Sequence, residues 1–123
     1  MASILVIDDE KDLLWMFNNV LERNGHKVFM AENGFEGMLI FENEHLDLVI
    51  TDLMMPVMDG HEVAMHIRTS EKGSIPVIGM SGTPWEIMPD HFEAVIEKPF
   101  FLGILIDKVR DLTLNPPNTV YSM

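Results

Sequence analysis

The chain has 123 residues, 47% of them hydrophobic, and its 20 acidic against 8 basic side chains give a formal charge of −12. This length accommodates one domain with a single well-covered core, and the hydrophobic content favours a globular fold over disorder. The negative charge argues against general binding to a phosphate backbone and favours basic partners or cations. Because the sequence contains no cysteine, disulfides and thiolate metal ligands are excluded.

The amino-terminal residues lack the basic start and the length of a signal peptide, and no apolar run approaches membrane-spanning length. We therefore expect a soluble, cytoplasmic protein that neither inserts into a membrane nor binds nucleic acid directly.

Short apolar runs alternate with helical patterns along the chain. Strands are predicted at Ser3–Ile7, Lys27–Ala31, Leu48–Thr51, Pro76–Met80 and Ala94–Glu97. Helices are predicted at Lys11–Asn24, Phe35–Glu44, His61–Ser70 and Phe101–Leu114. In the second helix the pattern places Phe35, Met38 and Leu39 on neighbouring faces. Gly25 stands where a glycine is expected after the end of the first helix.

Strands that alternate with helices over short loops imply a parallel sheet with right-handed crossovers. Five such strands with helices on both faces form a doubly wound, flavodoxin-like α/β sandwich with strand order 2-1-3-4-5. The segment Gly82–Glu93 leaves room for only a shortened fourth helix of one to two turns, with Thr83 as N-cap and Pro89 ending it. We expect one domain over residues 1–115, followed by a tail or the start of a linker over 116–123.

Polar side chains follow four of the predicted strands at the point where each strand ends. Asp8 and Asp9 follow the first strand, Asp52 the third, Ser81 the fourth and Lys98 the fifth. The carboxyl ends of parallel strands meet at one edge of the sheet, where ligands bind in open α/β folds. We therefore expect these five residues to lie close together.

The chemistry of this group indicates phosphoryl transfer to an aspartate. Three converging carboxylates repel one another, and a hard divalent cation such as Mg²⁺ relieves that repulsion. The ammonium of Lys98 neutralises phosphoryl oxygens, and the hydroxyl of Ser81 donates to one of them. Asp52 is then the nucleophile that accepts the phosphoryl group.

Each residue alone also has a purely structural interpretation. Asp8 and Asp9 are suitable caps for the first helix, Asp52 and Ser81 are ordinary turn residues, and Lys98 fits an exposed surface position. The position of all of them at one predicted edge favours the functional interpretation.

Three motifs make the chain resemble the receiver domains of response regulators in two-component signalling, from Ile4 to about Leu114. They are the acidic pair after a strand at Ile4–Glu10, the run Asp-Leu-Met-Met-Pro-Val-Met-Asp-Gly at Asp52–Gly60, and Glu-Lys-Pro-Phe at Glu97–Phe100. The resemblance implies that Asp52 takes a phosphoryl group from a phosphohistidine on a sensor histidine kinase or a histidine phosphotransfer protein. It also implies a signalling switch or relay that acts on a downstream protein and is not a stand-alone enzyme.

The resemblance further implies the role of each site residue. Asp9 would bind Mg²⁺ directly and Asp8 largely through water, and the main-chain carbonyl of Met54 would complete the protein ligands. Ser81 and Lys98 would hold the phosphoryl oxygens. We also expect a cis peptide bond between Lys98 and Pro99, which turns Lys98 back over the strand ends.

Two departures from the family pattern affect the route by which a signal leaves the domain. The position three residues before Lys98, usually aromatic in the family, holds Val95, and the interval from Ser81 to Lys98 is several residues shorter than usual. We expect any signal to leave by the first helix or the strand-end loops, near Trp15 and Met55–Met58.

Three alternative functions share parts of this pattern. A degenerate receiver that only binds proteins is disfavoured because the acidic pair, Asp52, Ser81 and Lys98 are all present. A haloacid-dehalogenase-like phosphatase needs a second aspartate where this chain has Met54. A flavin-binding protein needs a phosphate-binding loop after the first strand, where this chain has two acids.

Overall fold

The structure is a computed structural model that describes residues 2–82, 91–99 and 101–114. The strands are β1 (Ser3–Ile7), β2 (Lys27–Ala31), β3 (Leu48–Asp52), β4 (Val77–Ser81) and β5 (Ala94–Glu97). The helices are α1 (Lys11–Arg23), α2 (Gly34–Asn43), α3 (Gly60–Arg68) and α4 (Leu102–Leu114). None of these described helices has the length and apolar character needed to cross a membrane.

The five strands form one parallel sheet in the order β2-β1-β3-β4-β5. This confirms the predicted doubly wound topology. Every residue of β3 and β4 is buried, as expected for strands covered by helices on both faces. The register places Asp52 opposite Met80, so β3 ends one residue before Ser81 on its neighbour.

The sheet separates two apolar cores, because successive strand side chains point to opposite faces. On one face α2 and α3 bury their apolar side chains against Leu5, Ile7, Val49 and Val77. On the other face α1 and α4 cover Ile4, Val6, Leu48, Ile50 and Ile78.

Local capping sets where the helices begin and end. Asp59 caps α3 by accepting from the Glu62 N–H at 2.9 Å, and the Glu62 carboxylate accepts in return from the Asp59 N–H. Asn33 caps α2. Gly25 has a φ of +87° just after α1, as its sequence position predicts.

The buried face of α2 differs from the one that its sequence suggested. The helix buries Gly34, Gly37, Met38 and Phe41, whereas the side chains of Phe35 and Leu39 are 55% and 62% exposed. The glycines determine this rotation, because the side chain of Met58 packs directly over Gly34, where a Cβ would lie 2.7 Å from the Met58 Cγ. α2 therefore presents two large apolar residues outwards.

The predicted short helix between β4 and β5, with Thr83 and Pro89 at its ends, lies outside the described residues. The residues from His91 lead into β5, and the side chain of Arg68 anchors this segment. Its guanidinium donates to the carbonyl of His91 at 2.9 and 3.2 Å and to those of Gly73 and Ile75 at 2.8 and 2.6 Å. It also forms an ion pair with Glu93, whose carboxylate accepts from the Val77 N–H.

Candidate phosphoacceptor site

Three carboxylates converge at the carboxyl edge of the sheet. Asp8 and Asp9 follow β1, and Asp52 is the last residue of β3. One oxygen from each lies within 4.8 Å of the other two. Asp8 is fully buried and Asp52 is 5% exposed, while Asp9 is open to solvent. The predicted convergence of these acids is therefore present in the structure.

The carboxylate of Asp8 lacks full compensation for its burial. Its Oδ1 accepts a hydrogen bond from the Glu10 N–H at 2.9 Å, but its buried Oδ2 accepts none from the residues that the structure describes. Burial is the main reason that the pKa of Asp8 rises from 3.8 to about 6. The hydrogen bond from the Glu10 N–H and the positive charge of Lys98 oppose this rise, whereas the negative charge of Asp52 adds to it. The ionised form of this side chain therefore depends on positive charge near its Oδ2 atom.

Lys98 supplies the positive charge of the site. Its Nζ lies 3.3 Å from Asp52 Oδ1 and 3.5 Å from Asp8 Oδ2. The peptide bond to Pro99 is cis, which confirms the prediction, and the Lys98 N–H donates to the carbonyl of Ser81 at 2.8 Å. Burial lowers the pKa of Lys98, but Asp8 and Asp52 outweigh this effect and raise it above its ordinary value. The side chain is therefore held in its charged form between the two acids.

The donor set fits a hard divalent cation. The ammonium of Lys98 balances one of the three carboxylates, so two negative charges remain in a largely buried site. Among the described residues, the grouped side-chain ligands are carboxylate oxygens, the type that Mg²⁺ prefers. Asp8 Oδ2, which has Lys98 Nζ at 3.5 Å but accepts no hydrogen bond from the described residues, provides a further acceptor for such an ion or its bound water.

The loop after β3 is held close to the Asp52 carboxylate. The Met54 N–H points at Asp52 Oδ1 across 3.4 Å, and the side chain of Met54 is 72% exposed. Val57 has a φ of +72°, an unusual conformation for a β-branched residue. Gly60 begins α3 against the loop, where a Cβ would lie 2.5 Å from the Asp52 carbonyl oxygen.

Ser81 completes the group of predicted residues at this edge. It is the last residue of β4, is 3% exposed and pairs in register with Glu97, the residue before Lys98. The sequence analysis included Gly60 in the motif at Asp52–Gly60 but gave it no role in packing. The sequence feature that indicates this packing role is a glycine directly after the capping Asp59. Only a residue without a side chain allows such a close approach to the preceding strand.

Comparison with known proteins is decisive about the family. The family model described as the response regulator receiver domain matches residues 4–110. The chain belongs to the response-regulator receiver family. This receiver domain is therefore a regulatory, phosphorylatable module of two-component signalling and not a stand-alone enzyme.

Similar sequences occur in other regulators. The receiver domain is 35% identical to protein PilH of Pseudomonas aeruginosa over 79 residues, which cover 63% of this chain and 65% of that protein. It is 40% identical to the probable transcriptional regulator ycf27 of Porphyridium aerugineum over 118 residues, covering 89% of this chain and 47% of that protein. The receiver domain thus spans about half the length of the ycf27 protein.

Solved structures give the same fold. A response regulator receiver domain protein from Clostridium thermocellum superposes with a TM-score of 0.86 at 28% identity, covering 93% of this chain and 95% of that one. The response regulator TrrA of Thermotoga maritima, solved in complex with Mg²⁺-BeF, superposes with a TM-score of 0.83 at 31% identity. That match covers 91% of the receiver domain and 99% of TrrA.

Proposed function

We propose that this receiver domain takes a phosphoryl group onto Asp52 from a phosphohistidine and so switches or relays a signal. The observation that carries the proposal is the position of the Asp52 carboxylate, 5% exposed and 3.3 Å from the ammonium of Lys98. An Asp52 oxygen forms the new bond to phosphorus while the bond to the donor imidazole nitrogen breaks. Lys98 and Ser81 receive the phosphoryl oxygens.

Asp8, Asp9, Asp52 and the main-chain carbonyl of Met54 are the proposed Mg²⁺ ligands, with Asp8 acting largely through water. When bound, the ion would offset the negative charge that gathers around the phosphoryl group. The convergence of the three carboxylates within 4.8 Å supports this assignment, as does the buried Oδ2 of Asp8, which accepts no hydrogen bond from the described residues. The structure of TrrA with Mg²⁺-BeF is a precedent in a relative.

The proposed phosphodonor is a sensor histidine kinase or a histidine phosphotransfer protein. A groove of about 400 Å³ beside Lys98 supports this proposal, because a donor must bring its histidine to the edge of the sheet. The groove is lined by Glu10, Leu13, Met16, Lys98, Pro99 and Leu102. Its apolar side chains offer contact area for a donor helix, and Lys98 connects it to Asp52.

We further propose a receiver domain over residues 1–115, with residues 116–123 forming a tail or linker, and a cytoplasmic location. The family model, which ends at residue 110, is compatible with this boundary. The absence of cysteine in the sequence suits a reducing compartment.

Intact-mass measurement after incubation with a small-molecule phosphodonor and Mg²⁺ tests the proposal. The wild type should gain one phosphoryl group, whereas Asp52→Asn and a wild-type sample with excess chelator should gain none. Uptake by Asp52→Asn equal to that of the wild type would contradict the assignment. No uptake by the wild type under any condition would instead indicate a degenerate receiver that only binds proteins.

A further inference from the structure

A second surface lies away from the acidic site. A groove of about 440 Å³ runs between α2 and α3, the two helices on the face of the sheet opposite α1 and α4. It is lined by Phe35, Met38, Leu39, Glu42, Met58 and His66.

The rim of this groove is apolar where it faces solvent. Phe35 and Leu39 are 55% and 62% exposed. They are four residues apart on α2 and therefore stand one turn apart on one face of the helix. A contiguous apolar stripe beside a groove is the arrangement that contacts the apolar face of a partner helix.

The groove is connected to the loop that follows Asp52. Met58 belongs to that loop, yet its side chain forms part of the groove wall and packs over Gly34 at the start of α2. A displacement of the loop backbone would therefore move one wall of the groove. The surface is thus contiguous with the phosphoacceptor loop.

Acidic residues surround the apolar stripe. α2 carries Glu36 and Glu42 but no lysine or arginine, and α3 carries Glu62 on the same face as His66. Glu42 is engaged by His66, whose Nε2 lies 3.1 Å from the Glu42 carboxylate, whereas Glu36 and Glu62 are exposed. Arg68, at the end of α3, is already engaged by Glu93. Most of this face is therefore negative.

The charge of the surface decides what kind of partner fits. A second copy of the chain would bring the same acidic face against this one, and each copy carries a formal charge of −12. A basic partner would gain attraction instead. The side chain of Lys72, a residue that follows α3, reaches the carboxyl end of α2, where its Nζ donates to the carbonyls of Phe41 and Glu44. Its positive charge would repel the basic groups of a partner, which would therefore face the amino-terminal part of the groove.

We propose that the α2–α3 groove is a docking site for a basic amphipathic helix of another protein. Apolar side chains one turn apart on that helix contact Phe35 and Leu39, and its lysines or arginines face Glu36 and Glu62. The docking surface lies on the opposite face of the sheet from the groove beside Lys98, so a phosphodonor and this partner need not compete.

A titration with synthetic peptides tests the proposal. The probe is a helical peptide with leucines one turn apart and lysines on its flanks, and the matched control has glutamate in place of every lysine. Added to the ¹⁵N-labelled full chain, the lysine peptide should shift amide signals of α2, α3 and Met58, and its affinity should fall as salt is added. The glutamate peptide should leave these signals in place.

Two surface variants distinguish binding at this groove from nonspecific binding to exposed apolar residues. Leu39→Ser should weaken binding of the lysine peptide by at least about tenfold, whereas Ile104→Ser, which changes an exposed apolar residue of α4, should alter it by less than about twofold. Both positions are exposed, so both variants should keep the wild-type circular dichroism spectrum. Phosphorylation of Leu39→Ser by a small-molecule donor should match the wild type, which separates this test from the test of Asp52.

Several outcomes would overturn the proposal. They are peptide-induced shifts confined to α1 and α4, equal binding of the glutamate peptide, and equal weakening by Ile104→Ser. Sedimentation that shows a dimer of the wild type, lost in Leu39→Ser, would identify a second copy as the occupant instead.

Discussion

Replacing Asp8 by asparagine should stabilise the metal-free protein. The substitution removes a charge that is fully buried, while the remaining oxygen still accepts from the Glu10 N–H at 2.9 Å. The variant therefore keeps the shape of the site and loses its least compensated charge.

The pKa of Asp8 sets the size of the effect. The folded-state pKa of about 6 lies above the ordinary value of 3.8, so the fold favours the protonated acid. The difference corresponds to about 3 kcal/mol of destabilisation once the group is ionised, because one pKa unit is worth about 1.4 kcal/mol. This cost already includes the attraction to Lys98, so a neutral asparagine should gain about 3 kcal/mol at pH 7.5.

The same pKa fixes the sign of the pH dependence. The contribution of Asp8 to stability is fully present below pH 3.8 and is lost as the pH rises through about 6. The stability advantage of Asp8→Asn over the wild type should therefore be near zero at pH 4, grow through pH 6 and level off above pH 7.

Urea denaturation followed by circular dichroism, in the presence of chelator, measures this advantage. Asp9→Asn is the matched control, since Asp9 is adjacent but exposed, and it should change the free energy of unfolding by less than about 1 kcal/mol. Added Mg²⁺ should stabilise the wild type more than Asp8→Asn. A less stable Asp8→Asn in chelator, or an equal gain from Asp9→Asn, would refute the reasoning.

Three further substitutions test features of the backbone and its anchors. Val57→Asn should raise the free energy of unfolding by about 1 kcal/mol, because asparagine tolerates a φ of +72° better than valine. An unchanged midpoint of urea denaturation would count against backbone strain at this position. Arg68→Ala should lower the free energy of unfolding by about 3 kcal/mol, because several partly buried acceptors lose their donor, and Arg68→Lys should recover only part of the loss. A loss below about 1 kcal/mol would contradict the anchoring role. Gly34→Ala should displace Met58 and lower the free energy of unfolding by about 1 to 2 kcal/mol. Gly103→Ala is the control, because its Cβ would meet open space, and it should be neutral or stabilising. Equal effects at both positions would contradict the packing argument.

The sequence was sufficient to predict the positions of the strands, their order in the sheet and the convergence of the three acidic residues. Strands such as Ser3–Ile7 are continuous apolar runs between clear stop signals, and the strand ends then locate Asp8, Asp52 and Lys98 without any further information. The parallel sheet converts these local patterns into one shared edge.

Long-range contacts account for what the sequence did not predict. The face of α2 is ambiguous in a helix that is apolar almost all round, and contacts of Gly34 with Met58 decide it. The positive φ of Val57 has no local signal in a residue that prefers extended backbone. The partners of Arg68 are carbonyl groups in two other segments, which no sequence spacing reveals.

The division of the interior into two cores has a consequence for how this protein can evolve or be redesigned. Side chains of α2 and α3 meet only one face of the sheet, and those of α1 and α4 meet the other. Substitutions such as Val63→Ala and Leu14→Ala, one in each core, should therefore be additive in their effects. Selection can thus remodel the α2–α3 groove while the groove beside Lys98 is preserved, so that the two surfaces can diversify separately.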